Sequence, residues 1–127
     1  MASNEKPPIG SVSWRDLTVP DASKVKEFYA QVVGWKTKDH DMGGYADYEM
    51  QEPESGQTVA GVCHARGINE GLPPQWLIYI TVADVAASAK RCEELGGRVI
   101  HGPKSMGSQS MCVIEDPAGA VAALVGA

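Results

Sequence analysis

The sequence predicts an α+β fold made of two βαβββ units, and three observations carry that prediction. The tetrapeptide "TVPD" at 18–21 returns as "TVAD" at 81–84, 63 residues later. Gly34 and Gly56 have counterparts at the same spacing, Gly97 and Gly119. Each tetrapeptide also ends an alternating, β-prone run and opens a stretch with apolar residues at helical spacing. A period near half of a 127-residue chain points to duplication of one supersecondary unit.

The elements follow in order. "SVSWRDLTV" is rich in Val, Thr and Trp and reads as a strand. Asp21 then caps a helix, its carboxylate accepting from free N–H groups of the first turn. Ala22, Val25, Phe28, Tyr29, Val32 and Val33 form the apolar stripe. Gly34 stops the helix, since glycine tolerates the left-handed conformation. Three extended segments follow near 35–39, 45–50 and 58–64, separated by "DMGG" and "EPESG". The second half repeats the plan. "WLIYITV" is its strand, Asp84 its cap, Val85, Ala89, Cys92 and Leu95 its stripe, and Gly96-Gly97 its stop. Extended segments follow near 98–101, 110–115 and 120–125. This gives a loose tail over 1–10 and one domain over 11–127, with unit one at 11–64, a Gly/Pro-rich linker at 65–75 and unit two at 76–127.

Composition narrows the function. The net charge of −5 and the absence of a basic block argue against nucleic acid as a partner. No apolar run approaches the length of a membrane span, and the polar N-terminus lacks the apolar stretch of an export signal. Cys63, Cys92 and Cys112 cannot all pair within one chain and form no C-x-x-C, so they read as reduced thiols of a cytoplasmic protein.

The two βαβββ units, the run "TVPDASKVKEFYAQVVGW" and the late "EDPAG" resemble the vicinal oxygen chelate superfamily of glyoxalases, bleomycin-resistance proteins and extradiol dioxygenases. The resemblance covers roughly residues 11 to 126. It implies paired units whose mixed sheets curl around a shared cleft. It also implies metal ligands on the first and last strands of the units, and a homodimer as the assembly. A divalent ion held by N and O donors with open positions polarises substrate oxygens. Carried over residue by residue, the ligand positions fall on Trp14, Leu77 and Ala123, with Ala60 as the first-unit counterpart of Ala123. An indole offers only an N–H donor, and Leu and Ala offer none, so neither an inherited metal site nor any other cofactor is expected. His40, His64 and His101, with Asp16, Asp47, Glu49 and Glu115, show no ligand spacing that would build a substitute. A histidine at a strand end, such as His64, is either a cleft-mouth group or a hydrogen-bonded surface residue.

Side chains alternate along a strand, so Trp14, Asp16 and Thr18 share one face, as do Leu77, Tyr79 and Thr81, and Val121, Ala123 and Val125. If Trp14 faces inward, these residues line an apolar small-molecule pocket with Trp14, Leu77 and Tyr79 as walls, Ala123 leaving room and Asp16 as the polar group. Otherwise they fill the interior. Asp16 would bind an amine or serve as a general base. "PKSMGSQSM", ending at Met111, reads either as a flap over the ligand or as a surface connection. Trp14, Asp16, His64, Leu77, Tyr79, Met111 and Ala123 are the candidate binding residues, and Asp16 is the catalytic candidate. The expected function is metal-free binding of a small organic molecule. The alternatives are a glyoxalase-like lyase, isomerase or oxygenase with an unrecognised metal site, and an interaction protein whose cleft is packed shut.

Overall fold

A computed structural model describes residues 6–127. The tail expected over 1–10 falls partly outside them. Its last residues are tied down: the Gly10 N–H donates to the Thr81 carbonyl at 2.7 Å and the Thr81 N–H to that of Ser11 at 2.9 Å. Residues Trp14–Trp76 form one compact unit, the first half. Leu77–Ala127 form another, the second half, together with the described residues up to Ser13.

Among the described residues eight strands and two α-helices appear in the order that the duplicated pattern predicts: β1 (Val12–Val19), α1 (Ala22–Val33), β2 (Lys36–Asp41), β3 (Ala46–Gln51), β4 (Thr58–His64), β5 (Trp76–Val82), α2 (Val85–Glu94), β6 (Arg98–Met106), β7 (Gln109–Glu115) and β8 (Val121–Gly126). The fold is α+β with two βαβββ units. In the first half the strands lie in the order β2-β3-β4-β1; in the second, β5-β8-β7-β6. In each unit the strand before the helix pairs in parallel with the last strand, β1 with β4 and β5 with β8, while the hairpins between are antiparallel. A parallel pair requires a crossover, which the helix supplies.

The repeated tetrapeptide does the same work twice. Asp21 Oδ1 accepts from the Lys24 N–H at 3.2 Å, and Asp84 Oδ1 from the Ala87 N–H at 3.0 Å. The stops differ in detail. Gly34 adopts φ +91° and donates to the Ala30 carbonyl. After α2, Gly96 donates to the Glu93 carbonyl and Gly97 to that of Cys92, a complete Schellman closure. Gly97 also lies so close to Cys92 Sγ that a Cβ would sit 2.6 Å from it.

Each helix covers one face of the strands of its own half. Under α1, Ala22, Tyr48, Met50, Ala60 and Val62 form a buried cluster, with Val25, Tyr29, Trp35 and Trp76 packed on it. Trp76 Nε1 donates to Tyr29 Oη at 3.1 Å, and its ring meets Tyr29 and Trp35. Under α2, Val85, Ala89, Cys112 and Leu124 do the same, with Ile80, Val82, Val99 and Ile114. Each fully buried side chain of this kind stabilises the fold by about 1.5–3 kcal/mol. The expected helical stripes were too wide. Phe28, Val32 and Val33 on α1 and Leu95 after α2 are exposed, because a short helix on a sheet hides only the arc that faces the strands.

The segment 103–111, read as a flap or a connection, is a paired hairpin: Lys104 lies opposite Met111, Ser105 opposite Ser110 and Met106 opposite Gln109. Pro103 lacks the N–H that the ladder needs, and the register shifts on either side of His101. Among the described residues no helix is long and apolar enough to cross a membrane.

Candidate functional site

Register fixes which side chains share a face. In the first half Asp16 lies opposite Gly61, Thr18 opposite Cys63, Glu49 opposite Gly61, Lys38 opposite Glu49 and His40 opposite Asp47. All stand on the face turned away from α1, and so does Trp14 by alternation. This helix-free face is polar and closely interconnected. Trp14 Nε1 donates to Asp16 Oδ2 at 3.2 Å. Thr58 Oγ1 donates to Glu49 Oε1 at 2.9 Å and accepts from Gln51 Nε2 at 3.3 Å. His40 Nδ1 lies 3.6 Å from Glu49 Oε2.

Gly61 forms the floor of this arrangement. A Cβ there would sit 3.2 Å from Asp16 Cβ and 3.4 Å from Trp14 Cζ2. The missing methyl is what lets the indole and the carboxylate lie close over β4. Beside them Cys63 is pushed far above the ordinary thiol range, first by burial, then by the Asp16 and Asp47 carboxylates. It is therefore a neutral thiol at physiological pH and no nucleophile. Gly61, Cys63 and Asp47 were not picked from the sequence as neighbours of Trp14 and Asp16. The signal available was the alternation of β4 read against β1, which needs the register to be known.

The register also moves one expected position. Ala60, taken as the first-unit counterpart of Ala123, faces α1 in the core cluster. The true counterpart is Gly61, since Asp16 pairs with Gly61 as Tyr79 pairs with Ala123. The cause is hairpin length. Glu49 and Gly61 are paired across twelve residues, Val113 and Ala123 across only ten. The offset between the copies therefore falls from 64 (Glu49 to Val113) to 62 (Gly61 to Ala123), so a fixed 63 misses by one residue in the last strand, and one residue turns a strand side chain to the other face.

The second half presents a different helix-free face. Leu77, Tyr79, Thr81, Met111, Val113, Ala123 and Val125 share it, and all are buried. Thr81 Oγ1 accepts from Ser11 Oγ at 3.1 Å and donates to Ser13 Oγ at 3.3 Å. Behind this sheet, against α2, burial and then the neighbouring Cys92 push the Cys112 thiol up to about 11. Burial also lowers the Lys104 ammonium below the ordinary lysine range. Within the second half a cavity of about 670 Å³ opens between Ile9, Val82, Gln109 and Ala127, with Lys6 at its rim. It contains none of the candidate residues.

His64 stands apart from the other candidates. By alternation it shares the α1 side of the sheet with Val62, and its ring meets Tyr45 and Tyr48, not Trp14. Within the first half the candidates thus fall into two sets, Trp14 with Asp16 and His64 by itself; within the second, Leu77, Tyr79, Met111 and Ala123 share one face. At the four positions where the resemblance places metal ligands stand Trp14, Gly61, Leu77 and Ala123. None has a lone pair for a divalent ion, so the superfamily's ion does not fit them. The "EDPAG" motif has a structural use: the Asp116 carboxylate accepts from the N–H groups of Ala118 at 2.8 Å and Ala120 at 3.0 Å, closing the β7–β8 turn.

Comparison with known proteins agrees with this architecture. The sequence profile of the Glyoxalase/Bleomycin resistance protein/Dioxygenase superfamily matches residues 9–124. CFP32 of Mycobacterium tuberculosis, provisionally named a glyoxylase, is 33% identical over 117 residues, which are 91% of this chain and 45% of that protein. The anthracycline biosynthesis protein DnrV of Streptomyces peucetius is 31% identical over 111 residues, 87% of this chain and 39% of that protein. The chain thus spans less than half the length of these relatives. Among solved structures, a superfamily member from Vibrio splendidus 12B01 aligns with a TM-score of 0.58 at 12% identity, covering 90% of this chain and 97% of that one. Streptomyces coelicolor methylmalonyl-CoA epimerase, in complex with 2-nitronate-propionyl-CoA, aligns with a TM-score of 0.54 at 17% identity, covering 94% and 99%. At such identities these structures speak to the fold alone.

Proposed function

Because the chain belongs to the Glyoxalase/Bleomycin resistance protein/Dioxygenase superfamily, we propose that it binds a small organic molecule on the helix-free face of its first half, without the superfamily's divalent ion. The observation that carries this reading is the Trp14–Asp16 pair over Gly61. An indole offers a flat apolar surface, and a carboxylate beside it, already oriented by the indole N–H, accepts from an amine or hydroxyl of the ligand. A few polar groups among apolar ones is the usual composition of a small-molecule site. The relatives support the same class. DnrV is named for anthracycline biosynthesis, a small-molecule chemistry. Three free thiols, two of them held neutral, favour a reducing, cytoplasmic setting.

Titration with an anthracycline, followed by tryptophan fluorescence, tests the reading. Saturable quenching is expected. It should be lost in Trp14→Phe, weakened about tenfold in Asp16→Asn through loss of a charge-assisted bond, and unaltered by EDTA. Binding that needs added Zn²⁺, Ni²⁺, Mn²⁺ or Fe²⁺, or that ignores both substitutions, defeats the proposal.

A homodimer is a second element of this reading. Phe28 and Val32, one turn apart on α1, are 58% and 66% exposed, a large apolar area for a free helix face. The relatives have room for a further segment as long as this chain, and a second copy would take its place. Sedimentation equilibrium should show a dimer that Phe28→Ser with Val32→Ser dissociates. A monomer in the unaltered protein at high concentration refutes it.

A further inference from the structure

At the end of the β3–β4 hairpin the first half carries a cluster that the Trp14–Asp16 face does not use. The Arg66 guanidinium stacks 4.0 Å from the Tyr45 ring centre. Tyr45 meets the His64 ring edge-on at 5.7 Å, and His64 meets Tyr48 at 6.0 Å. Lys26 Nζ lies 4.8 Å from the Tyr48 ring centre. Cation, ring, imidazole, ring and cation follow one another.

The hydrogen bonds show which atoms remain for a ligand. His64 Nδ1 lies 2.9 Å from the Ala46 carbonyl and 3.5 Å from Asp47 Oδ1. Both are acceptors, so whenever the ring is neutral Nδ1 is the atom that keeps the proton and Nε2 the one that presents a lone pair. Asp47 is buried and already accepts from the His64 backbone N–H at 2.8 Å. Tyr48 Oη is bonded to Ser23 Oγ at 2.8 Å. Lys26 is shared with Glu27 at 3.8 Å. Two functions are left over: the edge of the Arg66 guanidinium, which makes no hydrogen bond or ion pair with a described side chain, and His64 Nε2. Stacking a guanidinium on a ring occupies its face and leaves its in-plane N–H fork pointing outward, the geometry that receives an oxyanion.

We propose that Tyr45, His64 and Arg66 form a second binding site for a small anion that carries an O–H beside its charged oxygen, a hydroxycarboxylate or a hydrogen phosphate. The Arg66 fork takes the anionic oxygens, and His64 Nε2 accepts from the adjacent hydroxyl. Tyr45 sets the distance between them.

The test follows the His64 ring proton by NMR, assigned by its loss in His64→Gln, during separate titrations with 2-hydroxypropionate, inorganic phosphate and propionate. The first or second should shift it saturably, and the better of the two identifies the source of the oxyanion. Propionate, which lacks the hydroxyl, should bind at least fivefold more weakly than 2-hydroxypropionate. Arg66→Ala should weaken binding tenfold or more, with Arg66→Lys intermediate, since a point charge replaces a fork. Arg66 is exposed, so both variants should fold as the parent does. No shift with either hydroxylated anion, equal binding of propionate, or full affinity in Arg66→Ala each overturns the proposal. Because Trp14 is not involved, anthracycline quenching in Arg66→Ala should be unchanged, which separates this site from the first.

Discussion

On the helix-free face of the first half, Trp14, Asp16, Asp47 and Glu49 surround Gly61. At the matched positions of the second half stand Leu77, Tyr79, Met111 and Val113, around Ala123. The chain path is the same and the helix caps are the same. The chemistry differs: the first set is polar and hydrogen-bonded, and the second is buried, with Leu77, Val113 and Ala123 at 1%, 0% and 0% exposure. After duplication the two copies are constrained on the side that meets a helix and are free to diverge on the other. The first half carries polar, hydrogen-bonded groups there, and the second carries packing.

If that contrast is right, substitutions at matched positions should have unequal effects. The largest belongs to Tyr79→Asp, which combines lost burial with a carboxylate in an apolar setting and should cost about 4 kcal/mol in urea unfolding. Asp16→Leu, the opposite change at the matched position, should stay within about 1 kcal/mol. Equal costs would break the comparison.

The next effect concerns two glycines in the last strands. A Cβ on Gly126 would collide with the Val82 backbone carbonyl, and paired backbone cannot retreat without losing its ladder. Gly126→Ala should therefore destabilise by about 3 kcal/mol. At Gly61 the obstacles are side chains, so Gly61→Ala should cost only about 1–2 kcal/mol. Its main readout is a changed Trp14 emission and weaker ligand binding.

An alkaline titration comes third. Folding holds Cys112 at about 11, against an ordinary 9.0, and pushes Cys63 up as well. Between those values the unfolded chain has released thiol protons that the folded chain keeps. Stability is thus intact below pH 9 and falls as pH rises above it. Cys112→Ala and Cys63→Ser should each flatten that decline, read as urea midpoints from pH 8 to 10.5. The smallest expected change is in the stability of Asp16→Asn, within about 0.5 kcal/mol, although its ligand affinity drops.

The βαβββ plan could be read from the sequence because its signals are local. An Asp cap, an αL glycine and an apolar spacing act within a few residues, and Asp21 and Asp84 make the bonds their positions promise. The site was only partly legible. Trp14 and Asp16 are two apart on one strand, so alternation alone puts them together. Gly61, Cys63 and Asp47 join them through cross-strand register, which depends on a hairpin whose length and irregularity at Met50–Gln51 no local signal reveals. His64, read from its strand-end place as a cleft-mouth group or a hydrogen-bonded residue, lies by parity with Val62 on the α1 side, where Nδ1 is 2.9 Å from the Ala46 carbonyl.

That hairpin has a consequence for anyone who wishes to edit the chain. The copies differ there by an even number of residues, so their facings still agree. Deleting two residues from the 52–57 loop would bring the first copy to the span of the second and leave every facing as it was. Deleting a single residue forces β4 to choose between breaking its alignment with β1 and turning itself inside out.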